Sequence, residues 1–285
     1  MNKLMNKNIL KSGLYIVSLP IGNLNDITSR AKDTISNSDY ILCEDTRNTL
    51  KILNYFKISK KLVSYHKFNE TKTKDTIIED LKKGKIISLV SDSGTPSVSD
   101  PGKSLITAVH KNKINIFPVP GVSAPIAAYS VSGFQEKFHF AGFLPKKLAE
   151  AERYLIKLKK INGVLIFFIP SRDLKKYQEI IIKHFYAMEF FIAREITKVH
   201  ETYIRDKVDK LQRYVEKNNK GELTLLIDNN FSEQKEKEDN PVDIVAEIKL
   251  LIGKMKSKDI SEYLGNKYNL SKKSIYAKVI KLLNE

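Results

Sequence analysis

KIISLVSDSGTPSVSDPG, residues 85–102, decides how the rest of the chain is read. The first six residues are a short, mainly apolar run. The next twelve, 91–102, are small, polar and turn-forming, with two prolines, two glycines and two aspartates. A plain surface turn needs about two to five such residues. A longer loop without bulk leaves room for a ligand to approach the main chain.

The same pattern of run then loop repeats around it. Apolar runs occur at LYIVSL (14–19), DYILC (39–43), KLVSY (61–65) and INIFPV (114–119). Between the runs, SRAKDTISN, TLKILNYF and KDTIIEDLKKG carry apolar residues three and four apart, the helical period. Gly84 is placed to end the last of these. Strand–helix alternation predicts an α/β fold with a mostly parallel sheet covered on both faces. Ligands in such sheets sit at the carboxyl ends of strands. The loops there are PIGNLNDI (20–27), EDTRNT (44–49), 91–102 and PGVSAP (120–125). Gly, Pro and Asp are ordinary in any one such loop. Four at one edge make a site.

A second α/β unit is expected after Ser132-Gly133, with strands in KFHFAGFL (137–144), VLIFFI (164–169), EFFIA (189–193) and ELTLLID (222–228). GFLPKK places Lys146 and Lys147 directly after a strand. SEQKEKEDNP (232–241) reads as a linker. Beyond it, Ile260, Tyr263, Leu264 and Tyr268 share one helical face, and Ile275, Val279 and Leu282 another. Ser271 is a helix N-cap. The expected organisation is an N-terminal α/β domain over 1–119, a second over 120–231, and a helix-turn-helix-like module over 240–285. That module, rich in Lys, suits either a phosphate backbone or a dimer contact.

The chain has 285 residues, 42% of them hydrophobic, and a net charge of +16. That excess favours a polyanion partner, RNA first. An A/T-rich coding sequence would also enrich Lys, Ile and Asn. The one cysteine, Cys43, excludes an internal disulfide framework and reads as a core residue. No apolar run is long enough to span a membrane, and a cytoplasmic protein is expected. GxGxxG, Walker, HExxH and GxSxG motifs are absent, and the five histidines are scattered. Hydride transfer, metal-dependent hydrolysis and acyl transfer lose ground, and no metal site is expected. Chemistry driven by positioning remains. Methyl transfer from S-adenosylmethionine fits, because the sulfonium is already activated.

GLYIVSLPIGNLNDIT (13–28), CEDTRNT (43–49), LVSDSGTPSVSDPG (89–102), PVPGVSAPIAA (118–128), GFLPKK (142–147) and AREITKVHE (193–201) occur in that order. On these motifs the chain resembles the tetrapyrrole-methylase-like (class III) methyltransferases. Within them it is similar to the branch that 2′-O-methylates a cytidine in the decoding region of 16S ribosomal RNA. The resemblance implies S-adenosylmethionine held in a cleft between two α/β domains, small ribosomal subunits or their 16S rRNA as partner, and a homodimer. It brings Pro20, Ile21 and Gly22, then Gly94, Thr95 and Val98, then Gly121, Ser123 and Ala124 to the cofactor. One departure stands out. IPSRDL (169–174) keeps only Arg172 of an expected acid-Ser-Pro-His-Arg pattern.

Transfer to a ribose hydroxyl needs a group to accept its proton. Glu44 and Asp45 end a strand, and Arg47 is near enough to bind phosphate or a carboxylate. Asp26, Asp100 and Glu195 are alternatives. Asp45 equally suits a helix N-cap, and Arg194 with Glu195 an ion pair. Lys146, Lys147, Arg172, Lys272 and Lys273 are the expected RNA contacts. Two other functions stay open: methylation of a tetrapyrrole or other small acceptor on the same fold, and RNA binding without catalysis.

Overall fold

A computed structural model describes residues 10–134, 137–215, 221–230, 244–253, 255–268 and 270–283. They form two compact units, 1–229 and 230–285. The expected linker 232–241 lies outside the described residues.

In the first unit, β1 (Gly13–Val17), β2 (Tyr40–Cys43), β3 (Leu62–Ser64), β4 (Ile86–Leu89) and β5 (Ile116–Val119) form a sheet of order β3-β2-β4-β1-β5. Every pairing in it is parallel. Helices α1 (Ser29–Asn37), α2 (Thr46–Tyr55), α3 (Glu70–Lys82) and α4 (Lys103–Lys111) cover it. Leu14, Leu42, Ile87 and Leu89 pack on one face with Ile77 and Leu81 of α3 and Leu105 and Val109 of α4. Tyr15, Val17, Ile41 and Cys43 pack on the other with Ala31 and Ile35 of α1 and Leu53 of α2. Burial on both faces is why these strands read as continuous apolar runs. Gly84 follows α3 at φ +89°, and its N–H bonds the Leu81 carbonyl at 3.0 Å, as a C-terminal stop does.

The second sheet holds β6 (Phe138–Phe143), β7 (Gly163–Pro170), β8 (Glu189–Arg194), β9 (Thr202–Lys207) and β10 (Glu222–Asn229), in the order β6-β7-β10-β8-β9. Only β6 and β7 are parallel; the remaining pairs are antiparallel. The sequence gives no sign of β9. TYIRDK is an edge strand with mostly exposed residues and lacks an apolar run. Helices α6 (Leu148–Leu158) and α7 (Leu174–Phe185), with the short α8 (Gln212–Val215), cover one face through Leu155, Ile181, Phe167 and Leu225. Helix α5 (Ala124–Ser132) packs on the opposite face through Ala128, against Val164, Ile166, Phe191 and Leu226.

Strand β6 carries a bulge. Phe140 pairs with Ile166, but Gly142 pairs with Phe167 and Phe143 with Phe168. Two residues of β6 thus oppose one of β7. Gly142 takes φ +69°, and a Cβ there would stand 3.3 Å from Ser99 Oγ. The extra residue shifts the phase of side-chain alternation by one. Phe140 and Phe143, three apart, therefore point to the same side, and both rings meet Phe168 at 5.0 and 5.3 Å.

The second unit contains α9 (Ile244–Leu251), α10 (Ser257–Tyr268) and α11 (Lys272–Leu283). Ile248, Ile260, Leu264, Ile275 and Val279 form its core. Of the residues expected to share one face of α10, Ile260 and Leu264 are buried and Tyr263 is exposed. Ser271 Oγ accepts from Ser274 N–H at 3.4 Å, a weak N-cap. Among the described residues no helix is long and apolar enough to cross a membrane.

Candidate active site

Strands β4, β1 and β5 are neighbours, so the loops leaving their carboxyl ends lie side by side. They are bonded together. Leu19 N–H donates to the Gly94 carbonyl at 2.9 Å, and Gly94 N–H donates to the Leu19 carbonyl at 3.0 Å. Thr95 Oγ1 lies 2.9 Å from Ser18 Oγ and donates to the Val122 carbonyl at 3.4 Å. A Cβ on Gly121 would stand 2.8 Å from Ser18 Cβ, so this close approach needs glycine. The first loop also reaches the second sheet. Asn23 N–H donates to Thr197 Oγ1 at 3.0 Å, and a Cβ on Gly22 would meet Lys198 Cγ at 2.5 Å.

Beside these loops lies a cavity of about 770 Å³. Of the nine residues expected at the cofactor, Ile21, Gly94, Thr95, Val98, Ser123 and Ala124 line it. Pro20, Gly22 and Gly121 do not: Pro20 is buried, and the two glycines are the points where loops pack closely. The far wall comes from the second sheet, with Phe143, Phe168, Arg172, Glu195, Lys198 and Thr224.

Acidic groups gather at the ends of β2 and β4. Asp92 and Asp100 line the cavity; Glu44, Asp45 and Arg47 do not. Asp45 is the N-cap of α2, accepting from Arg47 N–H at 2.8 Å. Its carboxylate also takes Arg47 Nε at 3.0 Å and Nη2 at 2.6 Å, which with the cap bond hold it down at about 2. Asp92 accepts from Asp45 N–H at 3.2 Å and Asn48 Nδ2 at 3.2 Å. Burial, with the Asp92 charge nearby, pushes the Glu44 carboxyl up. Burial and the Glu44 charge push Asp100 up to about 6. The Cys43 thiol is likewise raised by burial and lies in the core as expected.

On the other wall Glu195 accepts from Glu222 N–H at 2.9 Å and pairs with Lys198 at 3.0 Å. Burial opposes its charge, yet these two contacts hold the carboxyl below its ordinary value. Lys198 is thus an ion-pair partner of Glu195, which sequence reasoning missed; its signal was the three-residue spacing in EITK. Glu195 and Thr197 sit at φ +50° and +66°, so the turn after β8 is unusual for its residue types. Lys146 and Lys147 are exposed just after β6. In the separate C-terminal unit, Lys272 pairs with Glu262 at 2.7 Å and Lys273 is exposed. Among the described residues no His, Cys, Asp and Glu group has metal-holding geometry.

The cavity fits a donor held by main chain. At Gly94, φ +69° is a left-handed conformation, and a Cβ would find nothing closer than Ile21 Cγ2 at 3.5 Å. Gly94 lines the cavity, and a methyl there would rest in ordinary contact with Ile21.

The family model for tetrapyrrole (corrin/porphyrin) methylases matches residues 13–212. A Rickettsia prowazekii protein named ribosomal RNA small subunit methyltransferase I is 39% identical over 96% of this chain and 98% of its own length. A Thermotoga maritima protein of the same name is 43% identical over 75% of this chain and 97% of its own. Among solved structures, the uroporphyrin-III C-methyltransferase of Thermus thermophilus complexed with S-adenosylhomocysteine shares the fold, with a TM-score of 0.53 at 13% identity over 75% of this chain and 96% of that one. Methyltransferases of this family use S-adenosylmethionine. The chain belongs to the tetrapyrrole (corrin/porphyrin) methylases, alongside relatives named ribosomal RNA small subunit methyltransferase I.

Proposed function

We propose that this chain transfers a methyl group from S-adenosylmethionine to the 2′-oxygen of a cytidine ribose in the decoding region of 16S rRNA, acting in the cytoplasm as a homodimer. One observation supports the reading: three loops, joined through Leu19–Gly94 and Thr95–Val122, border a cavity in a chain whose relatives are named ribosomal RNA small subunit methyltransferase I. The +16 charge supports an RNA acceptor over a small tetrapyrrole.

When bound, the cofactor supplies an electrophilic methyl carbon and a neutral thioether leaving group. The chain must hold the ribose oxygen in line and take up its proton. Asp100 is the acceptor this reading favours, because it lines the cavity and burial raises its carboxyl to about 6, toward working pH. Glu44 acts by raising Asp100. Asp45 and Arg47 bind one another and fix the start of α2. Arg172, Lys146 and Lys147 meet phosphates, and Lys272 and Lys273 do so from the C-terminal unit.

The test is incubation of purified protein with labelled S-adenosylmethionine and either small subunits or free 16S rRNA, followed by nucleoside mass mapping. Label in a 2′-O-methylcytidine is expected. Label confined to a base, or none in RNA, rejects the reading.

A further inference from the structure

The far wall of the cavity contains an oddity. Phe143 is 54% exposed at the cavity end of β6, where it lines the cavity. An apolar ring left this open at a cavity wall is costly in water. Its direction is built in. The bulge at Gly142 turns it to the same side as Phe140, and Phe168 backs it at 5.3 Å. Helix α5 covers one end of this sheet face, over Val164, Ile166 and Leu226. Phe143, Phe168, Ala193 and Thr224 lie at the end that opens to the cavity.

We propose that the ring of Phe143 is the platform on which the base of the acceptor nucleotide stacks after it leaves the RNA stack. This rests on the functional reading above. A ribose held inside a helical RNA cannot enter a cavity, so the target nucleotide has to be turned out. Its base then needs a flat apolar partner. Phe143 supplies one face, and Phe168, tilted 53° to it on the same wall, packs against it. Basic side chains for the flanking phosphates are near: Lys146 and Lys147 follow Phe143 by three and four residues, and Arg172 lines the same cavity, whose carboxylates Asp92, Asp100, Glu195 and Glu222 leave the phosphates to its rim. Stacking on an aromatic ring tolerates any base. Phe143 therefore contributes affinity and orientation, and leaves the choice of nucleotide to other contacts.

The experiment uses the full chain with small ribosomal subunits and labelled S-adenosylmethionine. Wild type, Phe143→Ala, Phe143→Leu and Phe143→Tyr are compared for kcat/KM toward the subunit. Cofactor Kd is measured by calorimetry, and folding by thermal melting. Ala and Leu are expected to lower kcat/KM about tenfold or more, the scale of one lost base stack. Tyr restores it, and cofactor Kd stays put in all of them. Phe138→Ala, on the same strand but against Tyr129, matches wild type. Leu as active as Phe would overturn the proposal, since any apolar side chain would then serve. A rise in cofactor Kd that accounts for the whole loss would also overturn it, by giving the ring to the cofactor. A wild-type protein inactive on ribosomal RNA rejects the functional reading and takes this inference with it; an active wild type with unaltered Ala and Leu variants rejects this inference alone.

Discussion

Leu19 and Gly94 exchange both of their main-chain hydrogen bonds, at 2.9 and 3.0 Å. This single antiparallel bridge stands beyond the ends of two parallel strands, β1 and β4. It fixes where the long loop after β4 begins, and so where its bare backbone faces the cavity.

Replacing Gly94 by Ala tests that placement. The left-handed φ costs an L-residue about 1 kcal/mol, and the new methyl would meet Ile21 Cγ2 at 3.5 Å beside the cavity. Gly84→Ala, at φ +89° with nothing within 4 Å, is the control. Both variants are expected to lose about 1 kcal/mol in denaturant unfolding. Only Gly94→Ala should weaken S-adenosylmethionine binding in calorimetry, by about tenfold, which is about 1.4 kcal/mol.

Asp100 makes stability depend on pH in a direction opposite to a salt-bridged acid. Its pKa rises from 3.8 unfolded to about 6 folded. Between those values the folded chain binds more protons than the unfolded one, so stability falls as pH rises from about 4 to about 6 and levels above. Asp100→Asn should remove this fall. Denaturation midpoints from pH 4 to 8 for both proteins check it. If Asp100 also accepts the ribose proton, kcat/KM rises with pH and levels above about 6 in the wild type.

Asp45 offers a cleaner assignment. As the α2 N-cap it should cost about 1 kcal/mol when replaced by Ala and far less when replaced by Asn, which caps as well. An Asn variant with wild-type methyl transfer identifies a structural role. A variant that folds normally and is inactive identifies a chemical one.

Arg172, Lys146 and Lys147 should act through phosphate. Each Ala variant is expected to reduce the slope of log K against log salt by about one in filter binding to 16S rRNA. Lys146→Ala and Lys147→Ala should leave cofactor affinity unchanged, since neither side chain lines the cavity.

The first sheet was legible because both faces are buried, so its strands appear as apolar runs such as KIISLV. The loops were legible for the opposite reason, since bulk is missing from them. Strand β9 escaped because an exposed edge places no demand for apolar residues on TYIRDK. Roles within a motif were harder. Gly22 and Gly121 also lie where another segment comes too close for a Cβ, a fact held in distant residues 198 and 18. Phe143 could not be assigned to a face from alternation, because one inserted residue reverses the pattern. The carboxylates Asp92, Asp100 and Glu44 come together only when β2 and β4 pair.

Helix α5 has a mechanical consequence. Its first turn, at Ser123 and Ala124, forms part of the cavity rim, and its body is embedded against β7, β8 and β10. Nine residues of helix make a strut about 14 Å long. One rigid helix thus ties the rim on one side of the cavity to the sheet that forms the other.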